Sequence, residues 1–353
     1  MGQRRKKDTI RRGGLHWFLK VGSTVLEGNM QRFLASSLAL LLFYIISTPA
    51  SHAEDVIRLG NLKFAHYGAV SYMKEIAPKC GLKIEERMFP KGIDIMPAIV
   101  AGEIDVAASG LDAAIAGRAG GASIYVVAGF AKGGLRLVSS SKFSVKSVSD
   151  LKGQKVGVTR GGAPELALAA ELTKANLTWS EKPGKDVQII YMAYADLSQA
   201  LMSGDIAAMM HSEPYASQAI NKGFGKEVLK PYDTGMGEPV RSLIITEKLY
   251  NQRDVAQRLV GCFVQATGAF IADPALAERY VRENMFRGQL TSEDFRDAIG
   301  NSPYTYDITV EHVQITTDYM QQYGVGRMAT PPAAKNWVKL DLLQEAKRSL
   351  KAN

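Results

Sequence analysis

The chain has 353 residues, with 43 Lys and Arg against 35 Asp and Glu, 46% hydrophobic residues and two cysteines. That length accommodates two domains of ~150 residues each, and near-average apolar and charged fractions exclude a disordered, collagenous or disulfide-stapled chain. The formal charge of +8 is concentrated before residue 54. Arg4, Arg5, Lys6, Lys7, Arg11, Arg12, Lys20 and Arg32 face only Asp8 and Glu27 there. The remaining body is nearly neutral, which argues against a nucleic-acid partner.

Phe33 to Ile46 is an unbroken run of apolar and small residues, shorter than the ~20 residues that span a bilayer. Ser51-His52-Ala53 then places small residues where a signal peptidase cuts. A basic region, an apolar segment and a small-residue site predict a secretory signal over residues 1–53, cleavage after Ala53 and a periplasmic mature chain. An uncleaved anchor is the competing reading. Met30, just ahead of Arg32, is an alternative start. Two cysteines make no disulfide framework, and Cys80 and Cys262 are read as unpaired.

From Asp55 onward β-rich runs alternate with helical stretches. Strands are expected at Val56–Leu62, Leu82–Met88, Ile104–Ala108 and Ile124–Gly129, and helices at Val70–Ala77, Ile93–Ala101 and Asp112–Ala119. Such alternation predicts βαβ units, and so an α/β fold with mostly parallel sheets flanked by helices.

The chain then repeats itself. Ala98-Ile99-Val100-Ala101-Gly102-Glu103-Ile104-Asp105 is echoed by Ala200-Leu201-Met202-Ser203-Gly204-Asp205-Ile206-Ala207, a helix ending at glycine before an acid-Ile pair. Likewise Val56–Ala77 is matched by Lys155–Asn176. Two similar lobes follow: 54–138 with 240–353 forms lobe one, including the C-terminal helices, and 139–239 forms lobe two. Two crossing strands act as the hinge.

The segments PAIVAGEIDVAASG (97–110), SVSDLKGQKVGVTRGGAPE (147–165) and QALMSGDIAAMMHSEPY (199–215) resemble periplasmic solute-binding proteins of ABC importers for taurine, aliphatic sulfonates and nitrate. That group includes relatives similar to the thiamine-pyrimidine synthases. The likeness runs through most of 55–250 and weakens beyond. It implies a two-lobed periplasmic-binding-protein fold, a small organic anion held between the lobes, and delivery to an ABC permease in the inner membrane by a monomer.

Loops at the carboxyl ends of the strands are the places to look for ligand-binding side chains. After the first strand, Lys63 and His66 offer partners for an anion, and Phe64 and Tyr67 an apolar wall. Arg160, Gly161 and Gly162 take the equivalent place in lobe two, where Pro164 suits the first turn of a helix and glycines let a ligand approach the backbone. Glu213 and Tyr215 follow the strand expected at Ile206–Met210; Glu213 is also suited to starting a helix. Lys91, Ser109 and Tyr194 complete the set, with Asp112 read as a helix cap. Lys132 and Arg241 are noted near the cleft, where either also fits a solvated surface.

No cofactor or metal is expected: HExxH, Cys-x-x-Cys, GxxxxGK[ST] and GxSxG motifs do not occur. Binding without chemistry is therefore the leading reading. A ligand-binding sensor, or an enzyme of the thiamine-pyrimidine synthase-like group, is the alternative on the same fold.

Overall fold

The β-rich runs from Asp55 onward become strands, buried throughout at Val106–Gly110, Leu135–Ser140 and Ala208–Ser212 and half-exposed at the sheet edge Leu82–Phe89, with helices laid over them. The computed structural model describes residues 54–352; the leader and the cleavage point expected after Ala53 lie outside them. In chain order come β1 (Asp55–Leu62), α1 (Gly68–Ile76), β2 (Leu82–Phe89), α2 (Ile95–Val100), β3 (Val106–Gly110), α3 (Leu111–Ala119) and β4 (Ile124–Lys132). The second part holds β5 (Leu135–Ser140), β6 (Lys155–Val158), α4 (Ala163–Lys174), β7 (Trp179–Ser180), β8 (Val187–Tyr191) and α5 (Tyr194–Ser203). It continues with β9 (Ala208–Ser212), α6 (Tyr215–Asn221) and β10 (Gly225–Leu229). After β11 (Val240–Thr246) the chain is helical: α7 (Glu247–Asn251), α8 (Arg253–Ala272), α9 (Pro274–Tyr280), α10 (Ser292–Asn301), α11 (Val310–Tyr323) and α12 (Asp341–Ala352).

Two sheets result, ordered β2-β1-β3-β11-β4 and β10-β5-β9-β6-β8-β7. In the first, β1 pairs in parallel with β2 and β3, while β11 runs antiparallel to β3 and β4. In the second, β6 pairs in parallel with β8 and β9, while β5 runs antiparallel to β9. Both lobes therefore share one plan: a run of parallel strands, three in the first sheet and four in the second, then one antiparallel strand that arrives from the other lobe. The echoed glycines end equivalent turns, with left-handed φ of 73° at Gly102 and 86° at Gly204. The following strands start two residues later than expected, at Val106 and Ala208.

The first crossing is not where the sequence reading puts it. β5 begins at Leu135 and pairs with β9 and β10 of the second sheet, so the boundary expected at 138/139 cuts through a strand. The chain changes lobes at Gly133-Gly134 and returns at Val240, the first residue of β11. Both glycines have left-handed φ, 67° and 76°, and a Cβ on Gly133 would lie 2.5 Å from the Asn301 carbonyl oxygen. A left-handed alanine costs about 1–2 kcal/mol before any clash. Gly133→Ala is therefore expected to lower stability by at least about 2 kcal/mol in urea denaturation; a neutral result would show that the crossing tolerates other backbone angles.

α8 is long and apolar enough to cross a membrane by length and composition. Here Leu259, Val260, Cys262, Phe263 and Val264 are buried in the core, with α1 and α12 packed on the helix. Cys80 and Cys262 are both free.

Candidate functional site

The carboxyl ends of β1, β3, β6, β8 and β9 open towards one another, and between them lies a cleft of about 450 Å³, counting the part open to solvent. Just beyond β1, Phe64 is extended (φ −126°, ψ 151°) and a 3-10 turn at Ala65–Tyr67 brings His66 and Tyr67 inward. The turn is held by the Tyr304 hydroxyl, which donates to the Ala65 carbonyl at 3.0 Å. Tyr67 meets Phe130 edge-on at 4.7 Å. Phe64 crosses the cleft, meeting Tyr194 at 5.4 Å and Tyr215 at 5.8 Å on the second lobe.

Four buried polar atoms on this wall have no hydrogen-bond partner among the described residues: both ring nitrogens of His66, the Thr159 hydroxyl and Nη1 of Arg241. Burying such groups unpaired costs about 1–3 kcal/mol each, more for a charge. Arg241 is the second residue of β11, opposite Gly110 of β3, and is 3% exposed. Burial, and then Arg241, hold the His66 imidazole neutral, well below its ordinary pKa.

Asp112 sits in the first turn of α3, 4% exposed. Burial pushes its carboxyl up to about 6, against Arg241 and the backbone N–H groups of Asp112 itself, Ala163 and Ala113, all of which favour the charged form. Ala163 opens α4 of the other lobe. One carboxylate thus sits at the amino ends of two helices.

On the second lobe, Thr159 to Gly162 join β6 to α4. Gly162 is the N-cap and offers no side-chain cap, and the Tyr194 hydroxyl lies 3.1 Å from where its Cβ would stand. Arg160 stacks 3.6 Å above the Tyr191 ring and pairs with Glu181. An adjoining groove of about 640 Å³, also counting open space, shares Lys91, Thr159, Arg160 and Tyr194 with the cleft. Beneath it His211 stacks between Tyr194 and Tyr215. Its Nδ1 accepts the Ser212 N–H at 2.8 Å, so Nε2 donates to the Tyr194 carbonyl at 3.1 Å.

Burial lowers the His211 pKa from 6.5 to about 4, with the Tyr194 carbonyl opposing. A depressed imidazole contributes stability above its unfolded pKa that is lost as pH falls through the folded value. His211 alone is therefore expected to remove about 3 kcal/mol between pH 6.5 and 4. His211→Gln should flatten the urea-midpoint profile over that window, and an unchanged profile would place the acid sensitivity elsewhere.

Of the residues expected from sequence, Phe64, His66, Tyr67, Lys91, Arg160, Gly161, Gly162 and Tyr194 line the cleft. Four others do not. Lys63 holds its ammonium 5.2 Å over the Phe286 ring. Ser109 is fully buried and donates to the Gly110 carbonyl. Tyr215 packs on His211 and Phe64. Glu213, with no exposed surface, pairs with Arg136 at 2.8 Å and accepts from Asn301 and Ser217.

The polar side chains lining the cleft beyond the expected set are Asp112, read as a helix cap, Arg241, noted near the cleft, Thr159 and Ser212. The available signal for Arg241 is that it is the single charge in the strand Val240–Thr246. Among the described residues, no group of three His, Cys, Asp or Glu side chains is placed to hold a metal.

Two sheets of one plan, facing each other by their strand ends, make a two-lobed periplasmic-binding-protein fold, with the ligand position of that architecture in the groove between lobes. A family model described as the NMT1-like family matches residues 56–282, and the chain belongs to that family. A protein of Escherichia coli (strain K12) named for binding aliphatic sulfonates is 29% identical over 203 residues, 57% of this chain and 59% of that protein. The chain thus matches less than two thirds of that curated relative's length. Among solved structures, the alkanesulfonate-binding protein SsuA from Xanthomonas axonopodis pv. citri, bound to MOPS, superposes with a TM-score of 0.68 at 18% identity, covering 83% of this chain and all of that one. The periplasmic nitrate-binding protein NrtA from Synechocystis PCC 6803 gives 0.68 at 16% identity, covering 84% and 89%. At those identities the likeness is one of fold.

Proposed function

We propose that the protein is an exported solute-binding component of an ABC importer that captures a small organic anion in the cleft and presents it to a membrane permease. The observation that carries this reading is the convergence of unpartnered buried atoms, Nη1 of Arg241, the Thr159 hydroxyl and the His66 ring nitrogens, on one groove. A guanidinium is suited to sulfonate, carboxylate or nitrate oxygens. The aromatic walls from Phe64, Tyr67 and Tyr194 favour a ligand with an apolar part over a bare inorganic ion. The names of the relatives and neighbours support the same class, and binding proteins among them favour capture over catalysis.

In this reading residues 54–132 with the segment from β11 onward form one lobe, residues 135–229 the other, and ligand shifts the population towards approach of the two. A thermal-shift screen over alkanesulfonates, carboxylates, aromatic acids and nitrate tests it. A true ligand at a hundredfold excess over Kd adds about 2.7 kcal/mol, a rise of several degrees in Tm for a chain of this size. No rise with any anion would overturn the reading.

A further inference from the structure

The cleft contains a charge of its own that an anion must meet. Arg241 and Asp112 are the buried cation and the buried carboxylate on its wall. With both ionised, the buried part of the site is neutral before anything enters. A monoanion paired to Arg241 Nη1 would leave two negative charges and one positive in a groove walled by aromatic rings.

We propose that Asp112 sets the charge of what the cleft accepts, so that a small monoanion binds together with one proton from solvent, and that proton resides on the Asp112 carboxylate. The inference rests on the anion-binding reading above.

The shared cleft wall of buried Asp112 and Arg241 is the ground for this, and three features of the site bear on it. Asp112 belongs to the first turn of α3 of one lobe, and it lines the cleft together with Ala163, the residue that opens α4 of the other. It therefore already stands beside the helix amino ends that an incoming anion would seek. The neighbouring groups offer no second buried cation. His66 and Tyr67, from the loop after β1, face it as neutral groups, since burial holds the imidazole unprotonated and the phenol protonated. Tyr194 of α5 is likewise kept as a phenol by burial and by Asp112. Lys91 and Arg160 stand at the mouth, exposed and facing Asp94 and Glu181 respectively. Finally, the proton is close at hand in free energy: the carboxyl already sits near pH 6, and a second negative charge within a few ångströms raises a carboxyl further, as in paired carboxylates.

Linkage fixes the expected result. Isothermal titration with methanesulfonate and with nitrate, each in two buffers of different ionisation enthalpy, counts protons taken up per anion bound. Wild type should take up close to one proton above about pH 7, falling towards none below about pH 5, with affinity dropping about tenfold per pH unit between roughly 6.5 and 8. Asp112→Asn should bind either anion with no proton uptake and no slope, and should exceed wild type by up to about a hundredfold near pH 8. His66→Gln should keep the wild-type slope.

Binding with no proton uptake in wild type would overturn the inference and leave the anion reading intact. A slope that survives in Asp112→Asn and vanishes in His66→Gln would also overturn it, by assigning the proton to the imidazole. Failure of both anions to bind at any pH, in wild type and Asp112→Asn alike, would overturn the inference for small monoanions, while the anion reading stands or falls on the wider thermal-shift screen.

Discussion

Replacing Arg241 by methionine is expected to weaken anion binding by a factor of roughly 10² to 10³ with the fold retained. The guanidinium is almost wholly buried, and its free Nη1 points into the cleft. Truncating one side of a desolvated charge contact typically costs about 2–5 kcal/mol. Methionine keeps much of the apolar stem, so packing against Gly110 and Ala131 of the flanking strands changes little. Titration calorimetry with the best anion from the thermal-shift screen reads the loss directly. A change below about threefold would remove Arg241 from the site and with it the main argument for an anionic ligand.

A second large effect is expected where the sequence reading put a ligand contact. Arg136 of β5 is 4% exposed and faces Glu213 at 2.8 Å, Asp297 at 2.7 Å and Glu227 at 3.0 Å. Asn301 donates to Glu213 at 2.8 Å and to the Leu135 carbonyl at 3.2 Å, and the Tyr232 hydroxyl donates to Asn301 at 2.9 Å. Asp297 and Asn301 lie on α10, so this buried network ties a helix after β11 to strands of the second lobe. Removing one member of a buried pair leaves the other uncompensated and costs about 3–5 kcal/mol. Glu213→Ala is expected to lose that much in urea denaturation while the folded protein binds anion within about threefold of wild type. Lost affinity at full stability would return Glu213 to the cleft. Arg136→Met combined with Glu213→Gln should recover part of the loss, because the two fully buried members are then both neutral, while Asp297 and Glu227 keep access to solvent.

The architecture was legible because it is written in periodicity. Alternation of apolar runs and helical stretches, and the echo of 98–105 in 200–207, correspond to two sheets of the same strand order. Strand-end loops were equally readable as the place for a site, and the Phe64-Ala65-His66-Tyr67 and Arg160-Gly161-Gly162 turns do face the groove. Sequence spacing could not tell which way a strand-end side chain turns. Glu213 and Arg160 occupy comparable positions, yet one is drawn into the interior by Arg136 and Asn301 and the other lies over Tyr191 at the mouth. Nor could it reveal partners distant in the chain: Asp297 is 161 residues from Arg136. Arg241 was ambiguous for the same reason, since its burial depends on β11 inserting between β3 and β4. Nor could spacing place the crossing at Gly133-Gly134, since the β-rich run Leu135–Val138 beyond it reads as continuous with lobe one.

The fastening of α10 to Arg136 and Glu213 gives the molecule a third tie between halves, beside the two backbone passages. A fragment spanning residues 135–229 would retain its own sheet but expose Arg136 and Glu213 stripped of Asp297 and Asn301. By their internal contacts the described residues from Glu54 onward form one compact unit. Grafting the second half onto a different scaffold to exchange ligand preference would have to carry α10 along, since that helix belongs by chain order to one half and by chemistry to both.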